Sequence, residues 1–166
     1  MTRILILFVV LISTLLGVND NEVRIEANIF EANEQERLSI FSGDVRIYKG
    51  KDEINSSTVK INFDEDNQPN KYEFIENVSF NIYIKENIHY LGKANRVHLF
   101  PNTKKYIFAG SVDIVEVNTD RRIEGDRVSL DGKSGSARII GRNNRPVIMS
   151  FKIETDKSEK KIVDKD

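Results

Sequence analysis

The chain has 166 residues, a formal charge of −1 and 31% charged residues. That length suits one domain, and the even mix of signs argues against a nucleic-acid binder, which would carry a basic excess. It has no Cys and no Trp, which removes disulfides, thiolate chemistry and cysteine metal sites. Nine Phe, five Tyr and many Ile and Val suit strands, and three prolines, Pro69, Pro101 and Pro146, fall where connections are expected.

The N-terminus reads as an export segment. Arg3 precedes an apolar run of 15 residues, Ile4 to Val18, softened only by Ser13 and Thr14. This matches the apolar region of a signal peptide and is short for a spanning helix of about 20 residues. Leu15-Leu16-Gly17 is a poor cleavage site, so residues 1–18 read either as a cleaved signal or as a short retained anchor. Both readings send the rest of the chain out of the cytoplasm.

From Val23 the chain reads as strands and turns. Val23 to Phe30 is a first strand, Glu31 to Glu36 a turn, and Arg37 to Ile47 a strand with Phe41, Val45 and Ile47 in phase. Tyr48 to Asp52 is a hairpin turn with Gly50 placed for a positive φ. Ile54 to Ile61 returns, and Asp64 to Asn70 is a polar loop. The next strand alternates strictly through Tyr72, Phe74, Val78, Phe80 and Ile82, which means one wet and one dry face. Lys85-Glu86-Asn87 reads as a turn, and Tyr90, Val97 and Leu99 return. After a loop at Phe100 to Lys104 come Tyr106, Phe108, Val112 and Ile114, then a turn, then Ile123 to Leu130. Asp131-Gly132-Lys133-Ser134-Gly135 is the strongest turn signal. Ala137 to Ile140 and Val147 to Ile153 are the last strands, and the charged segment 155–166 reads as a frayed tail. No amphipathic helix is expected after residue 22.

The strands repeat. Gly43-Asp44-Val45, Asn77-Val78-Ser79 and Gly110-Ser111-Val112 open three similar hairpins, with starts 34 and 33 residues apart. Such a period marks stacked supersecondary units, here antiparallel hairpins. Ile54 to Val59 and Ile123 to Val128 are each five apart, which would swap faces in a flat strand. A small residue, Ser56 or Gly125, lies between them, so a bulge or corner is expected there, coiling the sheet.

Motifs of catalysis are missing from this pattern. There is no nucleophile elbow, HExxH or phosphate loop, and no marked carboxylate pair of the kind a glycan-active enzyme needs. His89 and His98 sit on opposite limbs of one hairpin without an evident third ligand, so they read as solvated strand residues and no metal or other cofactor is expected. Glu53-Ile54-Asn55-Ser56-Ser57 fits an acidic acceptor pattern for bacterial N-glycosylation, and Asn77-Val78-Ser79 the shorter sequon. Both also read as ordinary strand residues.

What the chain has in abundance is inward apolar residues. The dry set comprises Phe41, Val45 and Ile47; Val59 and Ile61; Phe74, Phe80 and Ile82; Val97 and Leu99; Phe108, Val112 and Ile114; Val128 and Leu130; and Met149 and Phe151. It reads either as the filled core of a β-sandwich, as in an envelope scaffold, or as a groove that accepts acyl chains. The end strands offer free edges for β-augmentation: Val23, Ile25 and Ile29 at one end, and Val147, Met149, Phe151 and Ile153 at the other.

Taken in order, Ile25-Glu-Ala-Asn, Phe41-Ser-Gly-Asp-Val-Arg-Ile, Ile54-Asn-Ser-Ser-Thr-Val, Tyr90-Leu-Gly-Lys-Ala-Asn-Arg-Val, Tyr106-Ile-Phe-Ala-Gly-Ser-Val, Ile123-Glu-Gly-Asp-Arg-Val and Arg145-Pro-Val form a series. The series resembles the LptA/OstA family of periplasmic lipopolysaccharide-transport proteins over roughly residues 23–154. The resemblance extends to the membrane-anchored LptC and the N-terminal domain of LptD. It implies an all-β, open, twisted β-jelly roll of stacked antiparallel strands, with no enzymatic activity, that binds lipopolysaccharide by its acyl chains in the groove. It also implies head-to-tail self-association, with an LptC-like partner at the N-terminal edge and an LptD-like partner at the C-terminal edge. An LptC-like, anchored role is the alternative within the same pathway.

Overall fold

The computed structural model describes residues 23–83, 89–142 and 144–152. The expected export segment, the turn at Lys85-Glu86-Asn87, Ile153 and the tail lie outside the described residues.

Among the described residues, ten strands form one antiparallel sheet: β1 (Val23–Glu26), β2 (Ile29–Asn33), β3 (Leu38–Lys49), β4 (Asp52–Phe63), β5 (Pro69–Tyr83), β6 (His89–Phe100), β7 (Lys105–Glu116), β8 (Arg121–Asp131), β9 (Ser136–Ile140) and β10 (Ile148–Ser150). A 3₁₀ turn, Pro101–Thr103, joins β6 to β7. The six long strands from β3 to β8 pair in sequence order as a meander. Their turns follow from local chemistry. Asp131 Oδ1 accepts the backbone N–H groups of Lys133 and Ser134 at 2.9 and 3.0 Å, and these bonds hold its carboxyl below the ordinary range. Asp64 Oδ1 accepts the backbone N–H groups of Asp66 and Gln68 at 3.0 and 2.8 Å.

The repeat seen in the sequence is a row of corners. At Gly43-Asp44, Glu76-Asn77 and Gly110-Ser111 two successive residues have positive φ, and the ladder slips by one residue against both neighbouring strands wherever both are present. The sequence placed the bulge at Ser56 and Gly125. The corner is at that level, but the inserted residues sit on the adjoining strands, and Ser56 and Gly125 are the small residues opposite them. Val45 pairs with Ser56, Val78 with Ala94 and Val112 with Gly125. A small side chain is needed because the sheet bends sharply inward there, with both members of the first two pairs buried.

The corners also divide the edges. The expected strand Val23 to Phe30 is broken at Ala27-Asn28, where the Asn28 N–H bonds the carbonyls of Ser42 and Gly43 at 3.1 and 3.0 Å. Below the corner β1 pairs with β3, and above it β2 pairs with β3. The other end repeats this, with β10 and β9 flanking β8. Of the expected strand Val147 to Ile153, Ile148–Ser150 is the part that pairs among the described residues.

Candidate functional site: the apolar interior and its two edges

Antiparallel pairing sets inward side chains beside one another in rows that cross the whole sheet. One row below the corners runs Ile25, Ile47, Ile54, Phe80, Gly92, Ile114, Ile123, Met149. One above runs Phe30, Phe41, Val59, Phe74, Val97, Phe108, Val128, Ile139. The sheet curls so that these rows meet. Phe80 from the lower row and Phe108 from the upper have ring centroids 5.4 Å apart. Twelve of the expected dry residues belong to this cluster in their predicted inward phase, from Phe41 and Val45 to Ile114 and Val128. Ile82, Leu99 and Leu130 are half-buried against it.

Met149 and Phe151 differ from the expectation. They are 59% and 60% exposed: Met149 lies on β10, which has β8 on one side and no strand on the other among the described residues, and Phe151 lies past the end of β10. The opposite edge behaves alike. Ile29 and Phe30 are 55% and 48% exposed, although the Phe30 ring sits 4.8 Å from that of Phe41. Val23 and Ile25 of β1 are half-buried against the core, while Val147 at the far edge is exposed. The apolar interior is therefore covered in the middle and open at both ends.

Polar groups inside the roll are few. Tyr72 is 1% exposed, in a row with Ser39, Ile61 and Leu99, and its hydroxyl has no hydrogen-bond partner among the described residues. Burial pushes its pKa well above the usual phenol range. An unpaired buried hydroxyl costs about 1–3 kcal/mol. Sequence reading counted Tyr72 as an alternating strand residue and did not single it out; a Tyr in a phase otherwise filled by Ile, Phe and Val was the available signal. At the opposite end of the rows Tyr90 pairs with Glu116, and its hydroxyl is raised by burial and then by that carboxylate.

The outer face carries most of the charges, and Lys49, in the inward phase of Val45 and Ile47, is a buried exception. Glu73 meets Lys71 at 3.2 Å, His98 at 3.1 Å and Arg96 at 3.8 Å. Arg122 grips Asp113 through two hydrogen bonds of 2.9 and 2.7 Å. His89 is 2.6 Å from Asn81 and stacks on Tyr83 at 4.2 Å. No group of three or more His, Cys, Asp or Glu among the described residues is placed to hold a metal. Asn55 lies mid-strand, donating to Glu53 at 2.9 Å, with its Oδ1 buried.

Residues 24–136 match the family model of the LptA/(LptD N-terminal domain) LPS transport protein. The chain belongs to this family. The match runs from β1 to the first residue of β9 and takes in all three corners. No curated protein matches the chain in sequence. Among solved structures it is similar to LptH from Pseudomonas aeruginosa, the LptA homologous periplasmic component of the conserved lipopolysaccharide transport device. That likeness has a TM-score of 0.64 at 13% identity and covers 80% of this chain and 95% of LptH. The fold is thus the LptA-like roll that the sequence motifs implied, and the LptA/LptD family is one of transport proteins, in agreement with a chain whose sequence carries no catalytic motif.

Proposed function

We propose that this LptA-family chain works in the periplasm as a lipopolysaccharide carrier, sheltering acyl chains inside the roll and passing them between domains stacked edge to edge. The observation that carries this reading is the continuity of the inward rows, the upper ending at Phe30 on one edge and the lower at Met149 on the other, with both of these side chains about half exposed. A row that ends in exposed apolar side chains is completed when a like domain adds its own edge strand. Stacking then extends one apolar track through several domains.

Each methylene moved from water into such a track contributes about 0.8 kcal/mol. Matched rows on successive domains keep that contribution similar at every step, so the lipid can move without a deep trap. On this reading β1 and β2 meet an LptC-like partner, β10 meets an LptD-like partner, and further copies of the chain join head to tail between them. The groove is lined by the expected dry residues other than Met149 and Phe151, and the energy that sets the direction comes from another component.

The test is photocrosslinking in cells with a photoreactive residue at Phe80 or Ile114, which face each other across Gly92 in one row. Adducts carrying lipopolysaccharide are expected at both positions. A folded, exported protein that yields no adduct at either would mark the interior as a filled core and the chain as a scaffold.

A further inference from the structure

Resting on the carrier reading, we propose that the Tyr72 hydroxyl is a hydrogen-bonding anchor for the carbonyl group of an acyl linkage, so that the roll distinguishes acylated amphiphiles from plain alkyl ones. Tyr72 is 1% exposed and projects between Ile61 of β4 and Leu99 of β6, and its hydroxyl is unpaired among the described residues. The two inward positions paired with it, Ile61 and Leu99, are purely apolar, and the nearest buried hydroxyl in the row, Ser39, lies beyond Ile61. Phenylalanine would fill the same space without burying a hydroxyl, so the oxygen has no use in packing alone. Burial keeps it protonated, and hence a donor, at any physiological pH.

The position suits the junction of a chain with its headgroup. The Tyr72 row lies next to the Phe63–Pro69 end of the roll, not at its centre. An acyl chain entering from that end would place its ester or amide carbonyl near this level and its methylenes against the Phe74 row beyond. The carbonyl oxygen accepts from the Tyr72 O–H, and the ligand supplies the partner that the protein withholds. An alkyl ether presents a weaker acceptor and gains less.

The experiment compares the wild-type protein with Tyr72→Phe, using two amphiphiles with twelve-carbon chains and disaccharide heads. Sucrose monolaurate has an ester carbonyl and dodecyl maltoside does not. Binding is measured by calorimetry below the micelle concentration, and thermal midpoints are recorded without amphiphile. Tyr72→Phe is expected to leave the midpoint unchanged or raised, to weaken sucrose monolaurate about three- to tenfold, and to leave dodecyl maltoside unchanged. A midpoint lowered by several degrees would show that the hydroxyl is already bonded within the protein and would overturn the proposal. Equal losses for both amphiphiles, or no loss for either, would overturn it too. If wild-type protein binds neither, the carrier reading itself fails and the anchor falls with it.

Discussion

The ring of Phe80 lies across the backbone of Gly92, so that a methyl group added at Gly92 would sit 2.2 Å from Phe80 Cζ. The two residues are directly paired between β5 and β6, and the ring reaches over the glycine toward Phe108. Gly92 is thus the vacancy into which the largest side chain of its row is laid.

Gly92→Ala is expected to force the Phe80 ring from its place. Overpacking of this kind costs about 1–3 kcal/mol, which urea denaturation would read as a lower midpoint at unchanged slope. Because the two residues touch, the effects should not add. The double variant Gly92→Ala with Phe80→Leu should be more stable than the sum of the single losses predicts. Strict additivity would mean that the ring does not depend on the glycine.

The corners supply a second test with opposite signs. Glu76 holds φ +61° at the position where the other two corners have Gly43 and Gly110. Left-handed conformation costs a side-chain-bearing residue roughly 1–2 kcal/mol. Glu76→Gly should therefore stabilise the protein, by about 1 kcal/mol once the greater freedom of the unfolded chain is subtracted. Gly110→Ala should destabilise it by more than that, since the new methyl meets Asn95 Cβ at 2.9 Å as well as the unfavourable φ of +75°. Thermal midpoints moving the other way would show that the corners are relaxed.

These corners also show how far the sequence could be read. The repeat of Gly43-Asp44 and Gly110-Ser111 and the odd spacing across Ser56 and Gly125 placed a bend at the right level, because backbone freedom and side-chain parity are local properties. Glu76 was not legible as a left-handed residue, since glutamate has no preference for that region and is held there by pairing on both sides. The inward phase of the core was visible in the alternation of Phe74, Phe80 and their neighbours. The rows were not, because register joins residues far apart in the chain. For the same reason the exposure of Met149 and Phe151 escaped notice: their alternation is that of a core strand, and only the topology places them at an edge. The Tyr72 hydroxyl was hidden by a residue type that passes as aromatic in one context and polar in another.

Glu73 gives the protein an acid-side signature. Burial opposes its ionisation, but hydrogen bonds from Lys71 and His98, with their charges, outweigh that and hold the carboxyl below its usual value of 4.5. A carboxyl with a depressed folded-state pKa contributes stability that is present above its unfolded pKa and is lost as pH falls through the folded one. Glu73→Gln should therefore lower stability at pH 7 and flatten the decline below about pH 4.5. Arg96, at 3.8 Å, adds a more distant charge of the same sign as Lys71. Parallel stability curves for wild type and variant across pH 2–6 would show that the cluster is solvated and contributes nothing.

The two edges make the strongest demand on the carrier reading. Phe30 and Met149 end inward rows at opposite ends of the sheet and are 48% and 59% exposed. If like domains stack there, each side chain becomes interior on association, and a charge at either place would be buried without a partner. Phe30→Asp and Met149→Lys should each leave the monomer folded, because both positions are already largely open to water, yet each should shift concentration-dependent assembly toward monomers in light scattering. A mixture of the two variants is informative. Phe30→Asp blocks one end and leaves the other intact, so together they should form dimers through the two unaltered edges but no longer species. Assembly of either variant as long as that of wild type would remove the edges from the interface and leave Phe30 and Met149 as solvated ends of a closed core.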